Sequence, residues 1–175
     1  MPRFVGDDKH KFTATLTVPE GGLTAATPTF LNEGFQLCDF TLLNGFELGP
    51  TGSESINEPS LCSGSNASTP GASNYGAAFT LFRQYSKTGG IDVETEVEQF
   101  LEAIKVKGTE VTLWGRKTDK AASEPWETGD EVYAAVTTTV DDIQPVHESG
   151  FIKVRVPTFP QKGATFFKLG ADAGA

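Results

Sequence analysis

Side chains able to do covalent or acid–base chemistry are few and scattered in this sequence. His10 and His147 are its only imidazoles, and Cys38 and Cys62 its only thiols, in 175 residues. A covalent hydrolase needs a nucleophile activated by a neighbouring base. Neither cysteine sits in a nucleophile motif, and His10 lies in a polar N-terminal stretch. His147, beside Glu148 and after Asp141 and Asp142, has the residue types for an acid–base or metal site, but its setting reads as a surface turn between strands. Gly115-Arg116-Lys117-Thr118 imitates the end of a phosphate-binding loop, yet the upstream glycine is missing and no helix follows. No catalytic, cofactor or metal residues are expected. The cysteines can form one bridge or none. Asn66-Ala67-Ser68 is a formal glycosylation sequon, without use in a chain that lacks a secretory signal.

Charge narrows the choice of partner. The formal net charge is −9 and the sequence pI about 4.7. Phosphate contacts need clustered Lys and Arg, so a specific grip on nucleic acid is not expected. With 38% hydrophobic residues and thirteen Phe the chain can still pack an interior. No apolar run approaches membrane-spanning length and the N-terminus has no apolar signal core. The expectation is a soluble protein, made in a cytoplasm, with no membrane contact.

Periodicity supplies the elements that must position everything else. Val93, Val97, Phe100, Leu101 and Ile104 form one stripe of a 3.6-residue period, which predicts a helix over 92–104. Asp92 is the expected N-cap, Glu94 and Glu96 sit in the first turn, and Lys105 and Lys107 follow at the far end. Strand patterns fall at 12–18, 35–43, 77–83, 109–116, 131–140, 150–156 and 164–169. The fold class is therefore mainly β with one helix: two packed antiparallel sheets with that helix flanking them. One domain spans 1–175, with a polar arm at 1–11, a Gly/Ser/Asn-rich loop at 44–76 and a C-terminal extension at 157–175. Loops of that length are usually functional or disordered. Phe46, Leu48, Ile56, Leu61 and Tyr75 are its candidate anchors for assembly.

Three further groups have a plain and a functional reading. Glu94, Glu98 and Glu102, at i, i+4 and i+8, form either a solvated helix face or a surface facing a basic neighbour. Trp114 points away from Val111 and Leu113, towards a second core or an interface. Trp114, Trp126 and Tyr133 together could form a sugar-binding platform. With so little catalytic inventory beside arms, a long loop and mixed faces, the balance favours assembly over catalysis.

The run Thr80-Leu81-Phe82-Arg83, the helix 93–101, the segment 108–116 (Gly-Thr-Glu-Val-Thr-Leu-Trp-Gly-Arg) and 132–136 (Val-Tyr-Ala-Ala-Val) resemble the tail tube proteins of long-tailed, non-contractile bacteriophages, particularly those of actinobacterial hosts. The resemblance implies a β-sandwich or half-barrel subunit, rings of six copies, and stacking of rings into a tube through which DNA passes unbound. Self-association is then the main contact, with tape measure, tail terminator and baseplate or tail-tip proteins as the other partners. The place of action is the virion tail, assembled in the host cytoplasm. Short hydroxyl side chains suit a channel that must not hold DNA, which makes Thr13, Thr15, Thr17, Thr137 and Thr139 the lumen candidates. A phage or secreted β-sandwich binding module is the alternative, with its platform at Trp114, Trp126 or Tyr133. An enzyme built on His147 is third.

Overall fold

The computed structural model describes residues 8–57 and 68–172. In chain order its elements are β1 (His10–Thr15), α1 (Pro28–Asn32), β2 (Phe35–Gln36), β3 (Glu47–Thr51), β4 (Ser55–Asn57), β5 (Ser68–Pro70), β6 (Asn74–Phe82), α2 (Glu96–Ala103), β7 (Glu110–Lys117), β8 (Glu131–Val140), β9 (Gln144–Pro145), β10 (Lys153–Val156) and β11 (Thr158–Lys168). They build a five-stranded sheet in the order β11-β8-β7-β1-β2 and a four-stranded sheet in the order β3-β6-β10-β9. All pairings are antiparallel. The expected mainly-β sandwich with a flanking helix is what the chain forms.

Period-two alternation sends one side of each strand into a shared interior. Phe12 and Ala14 of β1, Val111 and Leu113 of β7, and Ala134, Val136 and Val140 of β8 face Ala77, Phe79 and Leu81 of β6 and Val154 and Val156 of β10. The helix closes this core with Val97, Phe100, Leu101 and Ile104, all buried. Phe100 packs near Phe35 and Phe79, at ring-centroid distances of 5.4 and 6.3 Å.

Several boundaries differ from the sequence reading, each for a local reason. The helix starts at Glu96, because the Thr95 hydroxyl donates to the Asp92 carbonyl at 2.8 Å and residues 92–95 close a turn. Asp92 is therefore not the N-cap, and Val93 is 65% exposed. The pattern at 35–43 divides into β2 and a 3-10 turn at Cys38–Phe40, which the Thr41 hydroxyl secures by donating to the Leu37 carbonyl. Of the expected arm at 1–11, His10 and Lys11 pair with β7, and residues 1–7 lie outside the described residues.

The segment 44–76 is not an open loop. β3 pairs with β6 and β4 pairs with β5, two nested antiparallel pairs on either side of residues 58–67, which lie outside the described residues. Backbone hydrogen bonding builds them with almost no apolar periodicity to announce them. Nor is 157–175 an appendage: β11 is an eleven-residue edge strand along β8. Pro160 is tolerated there because the strand has an open edge and a register shift between Pro160 and Lys162.

Candidate assembly surface

The threonine face expected to line a channel is covered within the subunit itself. Opposite the main core, the five-stranded sheet carries a second one made of Trp114, Trp126, Ala135 and Val132, roofed by Leu23, Ala26 and Leu31 around α1. Thr13 and Thr15 are the hydrogen-bonding floor of this core. Trp126 Nε1 donates to Thr13 Oγ1 and Trp114 Nε1 to Thr15 Oγ1, both at 2.9 Å. Thr13 in turn donates to Gln36 Oε1, and Thr15 to the Thr17 carbonyl. Thr137 is buried against Thr112, hydroxyl to hydroxyl at 3.2 Å. Thr13, Thr15 and Thr137 thus cannot face a channel; Thr139 is half-buried and Thr17 is exposed beyond the end of β1. Period two revealed that one face was polar, but hydroxyls that satisfy buried indole N–H groups look the same in sequence as hydroxyls facing water.

Arg116 is the residue that sequence reasoning missed. It is fully buried, lies over the Trp126 ring at 5.3 Å, and donates to Asp130 Oδ2 at 2.7 Å and to the carbonyls of Ala121, Glu124 and Pro125. One guanidinium so gathers the whole connection between β7 and β8. Burial alone would raise the Asp130 pKa, but hydrogen bonds from Lys120, the Glu127 backbone and Arg116 outweigh it and hold the carboxyl below its usual range. Asn32 completes the roof by donating to the Trp126 carbonyl and accepting from its N–H. Its one legible signal was an arginine alternating in phase with Trp114.

The acidic stripe does not exist as one face. Glu94 precedes α2, and Glu102 is exposed beside Lys105, with which it forms an ion pair. Glu98 is buried: both its oxygens accept from Arg83, at 2.7–3.0 Å, and Oε1 also accepts from the Gln84 N–H. It fastens the helix to the end of β6. The Arg83 guanidinium is correspondingly held more firmly in its charged form by that hydrogen bond.

Of the proposed loop anchors, Leu48 is buried in the main core and Phe46 packs edge-on against Phe12 and His10. Tyr75 lies on Gly163, where a Cβ would meet its ring at 2.6 Å. Ile56 is 53% exposed on β4, and Leu61 falls outside the described residues. Trp114 and Trp126 are both buried, so they form no sugar platform, and Tyr133 is half-buried with its hydroxyl 2.7 Å from His10 Nε2. Burial pushes the Tyr133 hydroxyl pKa up, while burial and then Lys117 push the His10 imidazole down. The residues grouped with His147 are taken by lysines: Glu148 pairs with Lys153, and Asp141 and Asp142 with Lys107.

Among the described residues the outer face of the four-stranded sheet is open, as are Phe159 and Phe166 on the edge strand β11. The inward positions of β6 and β10 are buried, and the outward ones, Ala78, Thr80, Phe82, Lys153 and Arg155, are half-buried or exposed. Glu47 of β3 shares this face and lies across Gly76, where no Cβ would fit beside it. Around its rim stand exposed apolar side chains, Leu43 on one side and Phe151 and Ile152 on the other. Fold and surface together define a two-sheet β-sandwich subunit with an open face on the four-stranded sheet. A family model described as phage tail tube protein matches residues 1–170, and the chain belongs to that family. It is a structural protein of the phage virion, a component of the tail tube. Among curated proteins nothing matches the chain.

Proposed function

We propose that copies of this chain close into rings, six to a ring as the resemblance implies, and that the rings stack into a tube whose bore conducts DNA. The open face of the four-stranded sheet faces that bore. Its two edge strands, β3 and β9, abut neighbouring copies around the ring, which removes the exposed edges a lone sheet carries. The β4–β5 pair contacts the next ring. Tape measure, terminator and tail-tip proteins are the further partners, and assembly takes place in the host cytoplasm.

One observation supports this reading above the others: β1, β7 and β8 of the five-stranded sheet are buried on both faces within the subunit, whereas β6 and β10 of the four-stranded sheet are buried on one. With Thr13, Thr15 and Thr137 buried, the outer face of β6 and β10 is the open sheet surface that supports a lumen. In a Cys38→Ser, Cys62→Ser background, Thr80→Cys tests it. A bulky maleimide should label this thiol in the monomer and fail to do so along the length of assembled tubes, where a small reagent still enters. Equal labelling by the bulky reagent in both forms would place the face outside the bore.

A further inference from the structure

Charge is unevenly placed along this chain. From Phe12 to Phe82 the sequence has six carboxylates and no Lys or Arg, while from Ser149 to Ala171 it has Lys153, Arg155, Lys162 and Lys168 and no carboxylate. In the four-stranded sheet these two stretches form opposite sides, with β3 at one edge and β10 beside β9 at the other. Three arginines lie among the described residues. Arg83 is paired with Glu98 and Arg116 with Asp130; Arg155, exposed on β10, has no carboxylate partner among the described residues. Neighbouring Lys153 is already held by Glu148 at 3.1 Å. On the opposite edge Glu47 is likewise exposed, and among the described residues no cation pairs with it. Both side chains stand on the open face.

We infer that Arg155 of one copy forms an ion pair with Glu47 of the next copy around the ring, a head-to-tail contact that sets the direction and register of closure. The inference rests on the ring reading above. A head-to-tail contact uses two different patches, and opposite charges on them disfavour the self-to-self pairings, acidic edge against acidic edge, that would end growth. Reach is sufficient: with β9 between them, β10 of one copy and β3 of the next lie two strand spacings apart, roughly 10 Å, a gap within reach of an arginine and a glutamate side chain; β6 sets the same spacing within one copy, where the two form no ion pair. Among the described residues no other arginine is free, which makes the pairing selective.

The test is charge reversal in purified full-length protein, with tube formation read by sedimentation and electron microscopy and folding by circular dichroism. Arg155→Glu and Glu47→Arg should each fold normally and give at least about tenfold less polymer than wild type. Mixed one to one, the two variants should co-assemble to near wild-type levels, because alternating copies make every junction complementary again. An ion pair within one subunit could not be repaired by mixing. If each single variant polymerises as wild type does, or if the mixture assembles no better than its parts, the ion pair is wrong while the ring reading stands. Normal tubes from Arg155→Glu that retain less DNA would instead assign Arg155 to phosphate contact. Wild-type protein that never forms rings or tubes would overturn the ring reading and the pair with it.

Discussion

The two sheets of this subunit are made of similar strands and are treated oppositely by the rest of the chain. Strands β1, β7 and β8 of the five-stranded sheet are packed on both faces, with an apolar core and α2 on one and a hydrogen-bonded Trp/Thr/Arg core under α1 on the other, while the edge strand β11 keeps Phe159 and Phe166 exposed. The four-stranded sheet shares the first core and leaves its second face to solvent, with small, hydroxyl and charged side chains on it. A sheet enclosed on both sides can only carry stability, whereas a half-covered one has a surface that stability does not require. Substitutions in the two should therefore separate folding from assembly.

The largest effects belong to the enclosed sheet and its helix. Phe100→Ala or Trp114→Ala should cost roughly 3–5 kcal/mol each, measured by urea unfolding of the monomer. A small loss at either would mean that the ring is an intersubunit anchor. Next comes the helix clamp: Arg83→Ala leaves the Glu98 carboxylate buried without its partner, a loss of about 3 kcal/mol, and Glu98→Gln in that background should recover part of it. Glu98→Lys, which the sequence pattern alone would rate as harmless, should destabilise comparably. Thr13→Val keeps the shape but strands the Trp126 N–H, which costs about 1–3 kcal/mol.

Acid should weaken the enclosed sheet in two steps. The half-buried His10 imidazole has a folded pKa below its ordinary value, so the unfolded chain takes up its proton first and stability declines as pH falls from about 6.5. The Asp130 carboxyl is also depressed; its contribution is complete above about pH 4 and is lost as pH falls through the folded value. Melting temperatures of Asp130→Asn should accordingly depend less on pH below 4 than those of wild type. The smallest folding effects lie on the open sheet: Ala78→Ser or Thr80→Ser should shift monomer stability by no more than about 0.5 kcal/mol.

Sequence periodicity carried the layer plan and the main core, because Val97, Phe100, Leu101 and Ile104 or Phe12, Ala14, Val111 and Leu113 must share one apolar side wherever the chain ends. It could not show which polar face was open. Thr13 and Thr15 alternate as lumen threonines would, yet their partners Trp126 and Trp114 lie about a hundred residues away. Glu98 has the spacing of a solvated acidic face, and only the return of β6 brings Arg83 to it. The nested pairs β3–β6 and β4–β5 were hidden for a different reason: their strands pair through backbone groups, which every residue has, so Gly, Ser and Pro gave the signature of a loop. Pro157 and Pro160 likewise read as a stop, although Pro157 only joins β10 to β11 and the edge strand β11 accommodates Pro160.

The central claim is that the half-covered sheet is the one turned to the bore. A reconstruction of assembled tubes at side-chain resolution tests it most directly. The account predicts Thr80, Ala78 and Arg155 on the channel wall, with Trp114, Thr13 and Thr15 sealed inside each subunit and α2 on the outer side. A channel wall formed by any part of the five-stranded sheet, with Thr80 and Arg155 on the outer surface of the tube, would contradict it.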